Sequence, residues 1–143
     1  MTAIRVLIVD DAPQVRQDLR TVLMLAGEAE REHPADPEHP ANEDHSEKKQ
    51  QTIEIVGEAG DGLQAISKAE ILQPEVVLMD LEMPVLDGYE ATRRIKLLCP
   101  TCRVLALSVH DYGAARQKAF QAGVDDFIVK GFPMETLLQA ILK

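Results

Sequence analysis

The chain has 143 residues, 45% of them apolar and 27% charged, which is enough for one domain around one core. No apolar run reaches the roughly 18 residues that span a bilayer, and Met1-Thr2-Ala3-Ile4-Arg5 lacks the apolar stretch and cleavage site of a signal peptide, so the chain reads as cytoplasmic, with no membrane association. A formal net charge of −9 opposes direct nucleic-acid binding, because a phosphate backbone would repel it.

Arg5-Val6-Leu7-Ile8-Val9-Asp10-Asp11 is an apolar run closing on two acids and reads as a buried strand. Pro13 suits the first turn of a helix, and Val15, Leu19, Val22, Leu23 and Ala26 follow at helical spacing. Residues 52–59 form a second strand candidate. Asp61-Gly62 opens a helix carrying Leu63, Ile66 and Ile71 that stops near Pro74. Glu75-Val76-Val77-Leu78-Met79-Asp80 is a third apolar strand ending in an acid. Asp87 and Glu90 stand at capping-box spacing before Ala91, Ile95 and Leu98. Arg103-Val104-Leu105-Ala106-Leu107-Ser108 is a fourth strand, and Asp111 can cap the helix after it, which ends near Gly123. Asp126-Phe127-Ile128-Val129-Lys130 is a fifth strand. Pro133 starts a last helix with Met134, Leu137, Leu138, Ile141 and Leu142 on one face.

The order is strand then helix, five times over. Strands that are apolar without alternation imply a parallel sheet covered on both faces. Right-handed crossovers make this a doubly wound α/β fold, a five-stranded parallel sheet in a single domain over residues 1–143. Chemistry then belongs at the carboxyl ends of the strands.

Residues 27–52 break the pattern. They hold eight acids (Glu28, Glu30, Glu32, Asp36, Glu38, Glu43, Asp44, Glu47) against Arg31, Lys48 and Lys49, and they lack large apolar residues. Helix-to-strand joins are usually about two to six residues, so the segment reads as a long, acidic, mobile insertion between the first helix and the second strand. Its place puts it at the end of the sheet away from the chemistry.

The strand ends share a pattern. The first strand ends in Asp10 and Asp11, the third in Asp80, the fourth in Ser108 and the fifth in Lys130. A single Asp at a strand end is usually a turn residue or a helix cap. Three carboxylates, a hydroxyl and an amine delivered to one rim by four strands are complementary parts of one reaction. Crowded carboxylates repel unless a cation neutralises them, and oxygen donors in that number suit Mg²⁺. Lys130 offers a point charge to a phosphoryl oxygen, Ser108 a hydroxyl, and a central carboxylate can itself be the nucleophile.

Val6-Leu7-Ile8-Val9-Asp10-Asp11, Leu78-Met79-Asp80-Leu81-Glu82-Met83-Pro84-Val85-Leu86-Asp87-Gly88 and Asp126-Phe127-Ile128-Val129-Lys130-Gly131 resemble the corresponding stretches of bacterial response-regulator receiver domains. The resemblance covers the chain outside the insertion. It implies the CheY-like (flavodoxin-like) fold with strand order 2-1-3-4-5, and a phosphoacceptor switch rather than an enzyme with its own substrate. Asp80 would be the phosphoacceptor. Asp11 would bind Mg²⁺ (or Mn²⁺) directly, Asp10 through water, and Asp80 and the backbone carbonyl of Glu82 would complete the set. Ser108 and Lys130 would bind the phosphoryl group, and Phe127 would be the switch aromatic. The implied donor is a sensor histidine kinase or a phosphotransfer protein. The implied output is a changed surface on the fourth helix, fifth strand and fifth helix, which is also where a homodimer would form. Gly131 and Phe132 stand between Lys130 and Pro133 where many relatives have proline next to the lysine. That spacing, with Leu107-Ser108-Val109-His110-Asp111, resembles the NarL/LuxR class, whose output is transcription through a DNA-binding domain that this chain does not contain.

Other features carry competing readings. Glu82 and His110 sit where they could tune phosphate lifetime by controlling the attacking water; His110 is equally read as a solvated loop residue. Phe127 taken alone is also plain core packing. Cys99-Pro100-Thr101-Cys102 lies at a helix C-terminus, where the dipole disfavours a thiolate, so two ordinary thiols are expected. A zinc site with His33, His39 or His45 has little support from spacing. Among other functions, a flavodoxin-type binder would want a Gly/Ser/Thr-rich phosphate loop where Asp10-Asp11 stands. An aspartyl-phosphate hydrolase would use Glu82 as acid-base but would want a cap. The remaining alternative is a degenerate receiver acting only as a protein-interaction module, and the presence of Asp10, Asp11, Asp80, Ser108 and Lys130 together speaks against it.

Overall fold

The computed structural model describes residues 3–31, 51–109 and 113–143. The elements are β1 (Ala3–Val9), α1 (Pro13–Arg31), β2 (Thr52–Ala59), α2 (Gly62–Leu72), β3 (Val76–Asp80), α3 (Gly88–Leu98), β4 (Arg103–Ser108), α4 (Gly113–Ala122), β5 (Asp126–Val129) and α5 (Met134–Leu142). All four strand pairings are parallel, in the order β2-β1-β3-β4-β5. Among the described residues, no helix is long and apolar enough to cross a membrane.

The apolar strands are buried because both faces are covered. Successive residues in a strand point to opposite faces, and the core divides accordingly. Leu7, Val9, Val77, Met79, Val104, Ala106 and Phe127 pack with residues of α2, α3 and α4. Val6, Ile8, Val76, Leu78, Leu105, Leu107 and Ile128 pack on the other face with Leu23 of α1 and Leu137 and Ile141 of α5. Ala65, Ala69, Ala91 and Ala119 are fully buried and let the first group of helices sit close to the sheet. Each fully buried Leu or Ile removes enough apolar surface from water to contribute about 1.5–3 kcal/mol.

Helix ends follow local chemistry. Asp61 caps α2 by accepting the Gln64 N–H at 2.8 Å, and Asp87 caps α3 by accepting the Glu90 N–H at 2.9 Å. Gln73, in the left-handed region at φ 46°, stops α2 before Pro74. One boundary of the expected insertion moves, and the second strand starts where it was expected. The first helix continues to Arg31, because Glu28, Ala29, Glu30 and Arg31 are good helix formers and one Gly27 costs only about 1 kcal/mol. The second strand runs over Thr52–Ala59, as its sequence predicts. Residues 32–50, with His33, His39 and His45, lie outside the described residues, as do His110 and the Asp111 cap.

Candidate functional site

Parallel strands bring their carboxyl ends to one rim, and the expected side chains are there. Asp10 directly follows β1 and is buried. Its N–H donates to the Ala59 carbonyl at 3.0 Å, which ties it to the end of β2. Its Oδ1 accepts the Ala12 N–H at 2.9 Å, and its Oδ2 faces Lys130 Nζ at 3.3 Å. Asp11 is exposed beside it. Asp80 ends β3 and is 4% exposed. Its Oδ1 accepts the Glu82 N–H at 3.1 Å and lies 3.5 Å from Lys130 Nζ. Carboxylate oxygens of Asp10, Asp11 and Asp80 all fall within 4.8 Å of one another, the one such cluster of potential metal ligands among the described residues.

Ser108 ends β4 and is buried. Its carbonyl accepts the Lys130 N–H at 2.7 Å, so the hydroxyl-bearing and amine-bearing residues are locked together. Glu82 is exposed, and its backbone N–H already serves Asp80. Phe127 is buried on the α2–α3–α4 face of the sheet, with the Arg116 guanidinium 5.6 Å from its ring centroid. It is 5% exposed and is part of the core on that face.

Crowding shows in the ionisation. Burial pushes the Asp80 carboxyl up from 3.8 to about 6; the Asp10 charge adds to this, while the Glu82 N–H and Lys130 oppose it. For Lys130, burial pulls down, but the Asp80 and Asp10 carboxylates outweigh it and the ammonium is held above its ordinary value. One ammonium thus faces two of the three clustered carboxyl groups. That is an oxygen-donor set with room for further positive charge, which is the chemistry a hard dication satisfies.

Two groups escaped the sequence reading. Gly88 lies against the end of β3: a Cβ there would sit 2.3 Å from the Asp80 carbonyl oxygen and 2.7 Å from Leu81 Cα. Its signal was a glycine just inside a capped helix, where no turn requires one. Arg16, in the first turn of α1, donates to the Asp10 carbonyl at 2.7 Å. The cysteines behave as expected. Cys99 and Cys102 are free and buried, and burial, reinforced by Cys99, pushes the Cys102 thiol up to about 12.

A family model described as the response regulator receiver domain matches residues 42–142. The chain is 31% identical over 139 residues to the chemotaxis protein CheY of Thermotoga maritima, covering 97% of this chain and 95% of that one. It is 37% identical over 131 residues to a protein-glutamate methylesterase/protein-glutamine glutaminase of Alkalilimnicola ehrlichii, covering 90% of this chain but spanning only 27% of that longer protein. Among solved structures, the receiver domain of the response regulator NarL from Mycobacterium tuberculosis superposes with a TM-score of 0.78 at 27% identity, covering 99% of this chain and 95% of that one. The receiver domain of the sensor histidine kinase PA1611 from Pseudomonas aeruginosa, solved with a magnesium ion in its active-site cleft, superposes with a TM-score of 0.71 at 25% identity, covering 98% and 95%. By sequence and by fold, the chain belongs to the response regulator receiver domains of two-component signalling.

Proposed function

We propose that this domain is switched by transfer of a phosphoryl group from a phosphohistidine, on a sensor histidine kinase or a phosphotransfer protein, to the carboxylate of Asp80. The observation that carries the reading is the convergence of Asp10, Asp11 and Asp80 within 4.8 Å, with Lys130 against two of them. The donor set fits Mg²⁺, held by Asp10, Asp11 and Asp80 with the Glu82 carbonyl, as the magnesium in the Pseudomonas relative suggests. Bound there, the ion would neutralise carboxylate charge and charge on the transferring group. Mn²⁺ offers the same hard-cation chemistry.

The chain's own residues supply the rest. The Glu82 N–H and Lys130 hold Asp80 Oδ1, which fixes the carboxylate for in-line attack. A carboxylate oxygen forms the bond to phosphorus, the donor's N–P bond breaks, and the imidazole keeps the electron pair. Lys130 stays protonated and offers its charge to a phosphoryl oxygen. Ser108 donates its hydroxyl to another. Pulling Ser108 toward the phosphoryl group changes the support beneath Phe127, and α4, β5 and α5 carry that change to the surface. That surface is where a second copy or an output partner would bind. The spacing after Lys130 favours the NarL/LuxR class, with transcription as the output through a separate DNA-binding domain.

Intact mass after incubation with phosphoramidate and Mg²⁺ tests the reading. The expected result is a gain of one phosphoryl group, lost with EDTA and absent in Asp80→Asn. A wild-type chain that gains no phosphoryl group from phosphoramidate or from a kinase partner would refute it.

A further inference from the structure

The acidic pair is held from outside the site by a network that none of the expected chemistry uses. The Asp10 backbone is gripped on both sides by β2 and what β2 anchors. Its N–H donates to the Ala59 carbonyl at 3.0 Å, and its carbonyl accepts Arg16 Nη1 at 2.7 Å. Arg16 is itself fixed, because its Nε lies 3.3 Å from Glu58 Oε1. Glu58 is fixed in turn: Arg20 donates to its Oε2 through Nε at 3.1 Å and Nη2 at 2.8 Å, and Lys68 donates to its backbone carbonyl. Gly60 leaves just enough space, since a Cβ there would stand 3.3 Å from Arg16 Nη1.

The carbonyl that Arg16 holds belongs to the peptide joining Asp10 to Asp11. Rotation of that peptide would swing the exposed Asp11 carboxylate relative to the buried Asp10 and Asp80. We propose that Arg16, anchored by Glu58, is a positioning residue that sets the Asp10–Asp11 peptide and so keeps three carboxylates converged on a divalent cation. This deepens the metal-binding reading of the Asp10, Asp11 and Asp80 cluster and rests on it.

The sign of the effect separates positioning from simple charge. Arg16 is a cation close to a site for a dication. Deleting its charge should tighten Mg²⁺ binding if electrostatics alone mattered. Positioning demands the reverse. Groups that orient metal ligands without touching the metal typically change affinity by about tenfold or more when removed. Arg16→Met keeps the stem and removes the grip, so it should weaken Mg²⁺ about tenfold.

Calorimetric titration of the wild type, Arg16→Met and Arg16→Lys with Mg²⁺ alone, beside thermal melts in EDTA, provides the test. Weaker binding by Arg16→Met, an intermediate value for Arg16→Lys and a phosphoramidate rate restored at saturating Mg²⁺ support the proposal. Unchanged or tighter Mg²⁺ binding by Arg16→Met overturns it, whatever its melting temperature. If Arg16→Met does not fold, Arg16→Lys decides: it keeps the charge but loses the two-handed grip on the Asp10 carbonyl and Glu58, so it should weaken Mg²⁺, and unchanged binding overturns the proposal. A wild type that binds no Mg²⁺ overturns the metal reading itself and this inference with it, whereas a wild type that binds while Arg16→Met matches it overturns the inference alone.

Discussion

Replacing Asp80 by Asn should make the metal-free protein more stable, even though it removes the residue on which the proposed function depends. The ionised carboxyl is unfavourable where it stands, since burial and then the Asp10 charge push it up from 3.8 to about 6 against the opposition of the Glu82 N–H and Lys130. At about 1.4 kcal/mol per pH unit, that sets a ceiling of about 3 kcal/mol on the destabilisation at neutral pH and above. The rim is open to water around Asp11, and screening brings the expected effect to about 1–2 kcal/mol. Because the folded value lies above the unfolded one, the penalty is fully present above about pH 6. It fades as the pH falls through 6 toward 3.8 and is absent below that. Asn keeps an oxygen for the Glu82 N–H, and Lys130 keeps Asp10. In EDTA at about pH 8, urea denaturation should therefore show Asp80→Asn gaining about 1–2 kcal/mol, with the gain vanishing near pH 4. Mg²⁺ should narrow the gap at pH 8, because an ion that binds the folded wild type stabilises it. An Asn variant no more stable than wild type in EDTA at pH 8, or one whose advantage grows on acidification, would refute the reasoning.

Gly88→Ala should destabilise by at least about 2 kcal/mol and slow phosphorylation in the fraction that folds, since its Cβ meets the Asp80 backbone; Gly113→Ala, with nothing within 4 Å, serves as the neutral control in the same urea and phosphoramidate assays. Val85 stands at φ 70° in a tight turn where the Leu86 N–H donates to the Pro84 carbonyl at 2.8 Å. It is 76% exposed, so Val85→Gly relieves the left-handed strain of a β-branched residue without losing buried surface, and should gain about 0.5–1 kcal/mol by denaturation after the entropy of glycine is subtracted. Replacing residues 33–50 with a short Gly/Ser linker should leave the phosphoramidate rate unchanged, and a large loss of rate in a still-folded protein would show that the join communicates with the site.

What was legible in the sequence was whatever one segment decides by itself. Val76-Val77-Leu78-Met79 reads as a strand buried on both faces, and β1, β3, β4 and β5 each announce their functional end by the first acid, hydroxyl or amine after an apolar run. Asp61 and Asp87 were readable as caps because capping is a contact three residues long. Even there the second half of the expected box fails: the Glu90 carboxylate pairs with Arg93 and Arg94. The end of α1 was misread because Glu-Ala-Glu-Arg is as acceptable to solvent as to a helix, and charge alone does not choose between them. Arg16 and Glu58 were invisible for another reason. Their pairing joins α1 to β2 across 42 positions, with no periodicity linking them. Gly88 and Val85 are set by how closely the β3–α3 connection must pass over the end of β3, which no local pattern encodes.

Twenty residues separate Arg31 from Thr52, and both mark the edge of the molecule opposite the reactive rim. A parallel sheet sorts its connections by direction, with every strand-to-helix turn on one side and every helix-to-strand turn on the other. The entropy of closing a loop grows slowly with its length, by about 0.6 kcal/mol per doubling. For anyone wishing to follow this domain in a cell, the end of α1 and the start of β2 are thus a natural address for a fluorophore or an affinity tag, since both lie across the sheet from Asp80.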